Sequence, residues 1–132
     1  MSLDSEDNLK KPISQILMND IQKILIKRLF IEKNYDLPMF DSTIKDAFVK
    51  INMSANRSSA NGYLLGQIKS VVDMPDKPYK FMGKDITKYL CVSHATSNKT
   101  FTYFVISNAP LNEQEFQTWY SRMEKVILIL YY

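Results

Sequence analysis

The stretch Asp46-Ala47-Phe48-Val49-Lys50-Ile51-Asn52-Met53 decides the fold, together with Tyr63-Leu64-Leu65-Gly66-Gln67-Ile68-Lys69-Ser70-Val71-Val72 beyond a polar loop. Phe48, Lys50 and Asn52 alternate with Val49, Ile51 and Met53, the two-residue period of a strand with one buried face. Residues 54–61 hold no long apolar side chain, and Gly62 closes them. Two strand-like runs joined in this way predict an antiparallel pair. Gly66, inside the second run, predicts a bulge or sharp bend of the kind small barrels use at their corners. Lys50 projects from the polar face of the first strand and is expected to belong to a binding site.

Composition bounds what surrounds this pair. A chain of 132 residues, 45% hydrophobic and 23% charged, is that of one ordinary globular domain. Val126–Tyr132, the longest pure apolar run, is far short of a bilayer span. No charged-then-apolar leader opens the chain, which argues against secretion. A single cysteine, Cys91, excludes an internal disulfide framework and fits a reducing compartment. The net charge of +3 is unevenly placed: residues 45–99 carry 9 Lys/Arg against 4 Asp/Glu, while both flanks are slightly acidic. A basic, β-rich middle suggests an anionic partner, although a solvated lysine surface fits it about as well.

In chain order, residues 1–11 are polar and mixed in charge, and read as an unstructured or expression-derived tail. Residues 12–132 form the single domain. Pro12 and Ser14 suit a helix start. Ile13, Ile16, Leu17, Ile21, Ile24 and Leu25 then recur at helical spacing, so Ser14 to Asn34 reads as one long amphipathic helix or two shorter ones. Pro38 ends it, and Met39 and Phe40 look like core plugs. Tyr79–Phe81 reads as a short strand and Met82–Thr87 as a turn. Lys88–His94 and Thr100–Ser107 are strand-like and dense in β-formers, joined by a short hairpin connection. Asn112 lies three residues before Glu115, an Asn-x-x-Glu capping box opening a last helix. Its apolar stripe is Phe116, Trp119, Tyr120, Met123, Ile127 and Leu130.

Catalytic chemistry is not legible. The single His94 and single Cys91 supply no metal-ligand spacing, and Gly62, Gly66 and Gly83 are too scattered for a phosphate loop. Asp73, Asp76 and Asp85 sit among prolines, as turn residues do. Tyr63, Tyr79, Phe81 and Tyr103 could cage a methylated lysine, but such residues more often fill a small barrel. The sequence therefore points to a non-enzyme with no cofactor and no metal.

The order of several short motifs resembles the Plus-three domain. They are Leu37-Pro38-Met39-Phe40, Phe48-Val49-Lys50-Ile51, Tyr63-Leu64-Leu65-Gly66-Gln67-Ile68, Tyr79-Lys80-Phe81-Met82-Gly83, Asn98-Lys99-Thr100-Phe101 and Glu113-Gln114-Glu115-Phe116 followed by Trp119. The resemblance spans roughly residues 13–125. It implies an α+β fold, a Tudor-like small β-barrel flanked by N-terminal and C-terminal helices, with the first helical stretch broken just before Arg28. It also implies a subunit of the polymerase-associated factor complex, acting in the nucleus. The partner it implies is the phosphothreonine-bearing C-terminal repeats of a NusG-related elongation factor. The three positive positions of the family fall on Arg28, Lys50 and Lys99, which are expected to share one phosphate. Lysine at two of them offers a point charge rather than a planar fork. Peptide contacts are expected from Val105, Tyr63 and Phe101, and no membrane partner or oligomer is implied. The alternative is single-stranded DNA binding by Lys69, Lys77, Lys80, Lys84 and Lys88, with Tyr79 or Phe81 as stacking surfaces.

Overall fold

The computed structural model describes residues 16–53 and 62–131, with side chains as far as Leu128. The expectations for the 1–11 tail, Pro12, Ser14 and Leu130 fall outside the described residues or side chains. Helices α1 (Met18–Lys23), α2 (Arg28–Asn34) and α3 (Phe40–Thr43) precede six strands. These are β1 (Phe48–Asn52), β2 (Tyr63–Asp73), β3 (Tyr79–Phe81), β4 (Lys84–Ile86), β5 (Lys88–His94) and β6 (Ser97–Phe101). A 3-10 turn at Tyr103–Val105 and the long helix α4 (Glu113–Tyr131) complete the chain.

The expected α+β architecture is present. The main sheet has the order β1-β2-β5-β6, all neighbours antiparallel, and β3–β4 is a separate ribbon. Beyond β6 the chain returns to the free edge of β1, where Ile106 bridges Ile51. That isolated bridge draws the two edges of the sheet together without a continuous ladder between them, so the sheet is not a fully hydrogen-bonded barrel among the described residues. Val49, Ile51, Ile68, Leu90, Val92, Phe101, Tyr103 and Ile106 fill its inner face. The outer face carries a second core of Phe48 and Leu65 against Ile21, Leu111, Phe116 and Trp119.

Several local expectations are corrected. Of the two alternatives for Ser14 to Asn34, the described residues have the two shorter helices: Ile24–Lys27 is a break that lies on β1, with Ile26 N–H donating to Phe48 O (2.7 Å) and Phe48 N–H to Ile24 O (2.9 Å). Strand pairing therefore outcompetes the next helical turn. The lysine before α2 makes no side-chain cap; the loop after the 3-10 turn does the capping, with Leu29 N–H donating to Asn108 Oδ1 (2.7 Å). Met39 is exposed, although Phe40 is core as expected. Lys84–Ile86 is a strand, because Met82 (φ 57°) and Gly83 (φ 77°) make the whole turn. Thr100–Ser107 is not one strand, since the 3-10 turn after Phe101 drives Tyr103 fully inside.

Gly66 is not the bulge. The register slips three residues later, at Lys69 between Ile68 and Ser70. Gly66 instead admits its neighbour: a Cβ there would stand 2.4 Å from Val92 Cγ1 and 3.1 Å from Ser93 O. Overpacking of this kind costs about 1–3 kcal/mol, so Gly66→Ala is expected to lower the urea midpoint accordingly. An unchanged midpoint would show that Val92 swings aside freely.

Candidate functional site

The three expected phosphate ligands are placed very differently. Lys50 shares the outer face of β1 with Phe48 and is buried. Its Nζ lies 2.9 Å from Glu115 Oε1, donates to Pro110 O (2.8 Å) and sits 4.6 Å from the Tyr63 ring centroid. The same carboxylate accepts the Asn112 N–H at 3.0 Å, while Glu115 N–H donates to Asn112 Oδ1 at 2.8 Å. The capping box expected from the sequence is therefore present and ion-paired to the sheet. The expectation that Lys50 offers a free charge is corrected: its ammonium fastens α4 to β1, with a cation–π contact to Tyr63.

Arg28 opens α2 at the opposite side of the same chain crossing. Its N–H donates to Ser107 O (3.3 Å) while Ser107 N–H donates to Lys50 O (2.8 Å), so the backbones of Arg28 and Lys50 flank one residue. Their side chains diverge. The Arg28 side chain is 40% exposed, with Nη1 donating to Phe104 O (3.4 Å) and Nε 3.4 Å from Glu32 Oε2. The Nε contact is an ion pair without hydrogen-bond alignment, which leaves that buried N–H unsatisfied.

Lys99 lies on β6 opposite Val92 and is exposed. The cation that lines a small cleft with it is Arg122 of α4; Ile51 and His94 lie in the same cleft, whose volume is about 130 Å³. Sequence reading gave Arg122 no role. It donates through Nη1 to His94 Nε2 (2.8 Å), and His94 Nδ1–H donates to Leu65 O (2.7 Å), which fixes a neutral tautomer. The His94 pKa is lowered, mainly by burial; the bond to Leu65 O opposes this and the Arg122 charge adds to it. The unfolded chain, titrating near 6.5, takes up this proton first as the pH falls. His94 is therefore expected to lower stability progressively below that value, until the pH has passed the folded pKa. His94→Gln should flatten this part of a stability-versus-pH curve measured by urea denaturation, and an unaltered slope would refute the assignment.

The expected peptide contacts divide in the same way. Val105 and Phe101 are core residues, which corrects their expected exposure, whereas Tyr63 is exposed. Beside the buried Val105 it is Phe104, one position earlier, that is exposed, stacked edge-on against Tyr79 with centroids 5.9 Å apart. No sequence signal distinguished it, because the 3-10 turn rotates the side chains out of strand alternation. Tyr35, Phe40, Tyr79, Phe81 and Tyr103 pack edge to face as core rather than as a cage. Burial pushes the Tyr79 phenol up to about 12, and that of Tyr103 higher still.

Two of the five expected nucleic-acid lysines are ion-paired. Lys80 pairs with Asp85 (3.0 Å) and Lys88 with Asp41 (3.7 Å). Lys69 projects from the bulge beside Gln67, and Lys77 and Lys84 are exposed. Phe81 is buried and Tyr79 half-buried, with its hydroxyl bonded to Lys88 O, so neither is an open stacking surface. Among the described residues there is no group of His, Cys, Asp and Glu able to hold a metal, and no helix long and apolar enough to cross a membrane.

A helical stretch broken before Arg28 and a C-terminal helix flanking the sheet are parts the motif resemblance implied; the Lys50–Glu115 tie between that helix and β1 is not among them. Residues 20–124 match the Plus-3 domain family. The chain belongs to that family. It is 26% identical to an RNA polymerase-associated protein of Schizosaccharomyces pombe over 117 residues, which are 89% of this chain and 20% of that protein. It is 29% identical to an RTF1 homolog of Arabidopsis thaliana over 126 residues, 93% of this chain and 19% of that protein. An RNA polymerase-associated RTF1 homolog of Caenorhabditis elegans is 24% identical over 102 residues, 77% and 16% of the two chains. This Plus-3 chain thus spans about a fifth or less of the length of these relatives.

Proposed function

We propose that this Plus-3 domain is a non-catalytic phosphothreonine-peptide-binding module. It acts in the nucleus and tethers a transcription-elongation assembly to RNA polymerase II. Its partner is the phosphorylated C-terminal repeats of a NusG-related elongation factor. Family membership and the polymerase-associated names of its relatives support the elongation role. The observation that carries the peptide reading is the junction of Arg28 with Phe104, a partly exposed guanidinium held against the main chain of an exposed aromatic. Glu32 restrains the guanidinium through Nε, and a dianionic phosphate competes for its remaining N–H groups. Phe104 gives the peptide an apolar surface beside that charge. β6 is the outer strand of the main sheet, and the chain runs from Lys99 on it directly to Phe104. A peptide laid along this edge passes Lys99 as a second cation.

Arg28→Ala is expected to weaken binding of a phosphothreonine repeat peptide by roughly tenfold or more, since one charge-assisted hydrogen bond contributes about 1.5–3 kcal/mol. Binding of the unphosphorylated peptide should barely change. Isothermal titration with both peptides measures this, and equal losses for the two would overturn the assignment. The single-stranded DNA reading stands behind it, because two of its five lysines are already paired and its stacking residues are not open. An oligonucleotide titrated against the same protein at two salt concentrations checks that ordering.

A further inference from the structure

A second surface lies apart from the Arg28–Phe104 junction. The break Ile24–Lys27 and the outward face of α2 form one wall of a groove of about 760 Å³, and the turn from Thr43 to Ala47 forms the other. α2 buries only Ile31, so Leu29 and Phe30 stand side by side at 50% and 40% exposure. With Ile24, Leu25 and Ile26 they give the groove an apolar floor. Lys23, Lys27, Lys33 and Lys45 line the same groove, against Asp46 as its single acidic residue among the described residues. All four lysines are exposed, and none forms an ion pair among the described residues.

We propose that this groove docks an acidic segment of a partner protein that carries apolar side chains at helical spacing. Its charge selects the partner: four unpaired cations around one carboxylate attract a polyanion and repel a basic peptide. Its floor selects between polyanions. Single-stranded nucleic acid needs aromatic platforms for successive bases, and among the described residues Phe30 is the only aromatic lining the groove. Leucine-like anchors of an acidic amphipathic helix instead find a matching apolar trough, with carboxylates reaching lysines on both walls. The contiguous exposure of Leu29 and Phe30 is what an unoccupied docking surface leaves behind.

The test uses a fluorescently labelled synthetic peptide in which leucines recur at helical spacing among aspartates and glutamates, followed by anisotropy. Comparison peptides keep the acids with serine in place of leucine, or keep the leucines with lysine in place of the acids. Only the acidic, leucine-bearing peptide is expected to bind, more weakly as salt rises. Lys27→Glu/Lys45→Glu and Leu29→Ser/Phe30→Ser should each reduce its affinity by roughly tenfold or more. All four positions are exposed, and circular dichroism verifies that the variants fold. Affinity unchanged by both double substitutions, or equal binding of the serine peptide, would overturn the proposal. Displacement of the peptide by a single-stranded oligonucleotide would overturn it in favour of a nucleic-acid surface.

Discussion

Glu115→Ala is expected to destabilise the domain by about 3–5 kcal/mol, whereas Lys50→Met is expected to cost far less. The carboxylate holds both the first turn of α4 and a lysine whose side chain is only 4% exposed. Removing it leaves the ammonium out of water, with Pro110 O and the Tyr63 ring as its remaining partners. Removing the lysine instead leaves an 11% exposed carboxylate that still has its bond from Asn112, and methionine keeps most of the apolar stem. A double-substitution cycle read by urea denaturation measures the coupling. A Glu115→Ala cost below about 1 kcal/mol would place the pair among ordinary surface salt bridges. The same Lys50→Met variant should bind phosphopeptide nearly as well as the parent, because Lys50 is engaged with Glu115. Abolished binding in a stably folded Lys50→Met protein would return Lys50 to the phosphate site.

The second large effect is expected at Trp119. Its indole is 4% exposed, packs edge-on against Phe48 with centroids 5.4 Å apart, and touches Phe116 at 6.0 Å. Trp119→Ala should cost about 3–5 kcal/mol, through lost burial and the cavity left between α4 and the outer face of the sheet. Thermal denaturation followed by circular dichroism checks it, and a shift of only a degree or two would show that α4 can be loosened without cost. Both predictions concern the same seam. If α4 detaches, Arg122 leaves His94 and the cleft that holds Lys99, so the outer core supports that edge of the molecule.

The sequence by itself determined the elements whose signals are local. Alternation in Phe48–Met53 located β1, β-branched and aromatic density located β5, and Asn112 with Glu115 set the start of α4. Spacing along that helix picked Trp119 for burial. Only the tertiary structure decided the rest. The break before Arg28 exists because β1 supplies better hydrogen-bond partners to Ile24 and Ile26 than another helical turn would, and α2 takes its N-terminal cap from Asn108, far away in the chain. Alternation correctly put Lys50 on the face opposite Val49 and Ile51, but it could not show that α4 would cover that face and answer the charge with Glu115. Phe104 rather than Val105 is exposed because a 3-10 turn breaks the two-residue period. Charge pairing and side-chain orientation at such turns depend on which distant segments meet, and local periodicity carries no record of that.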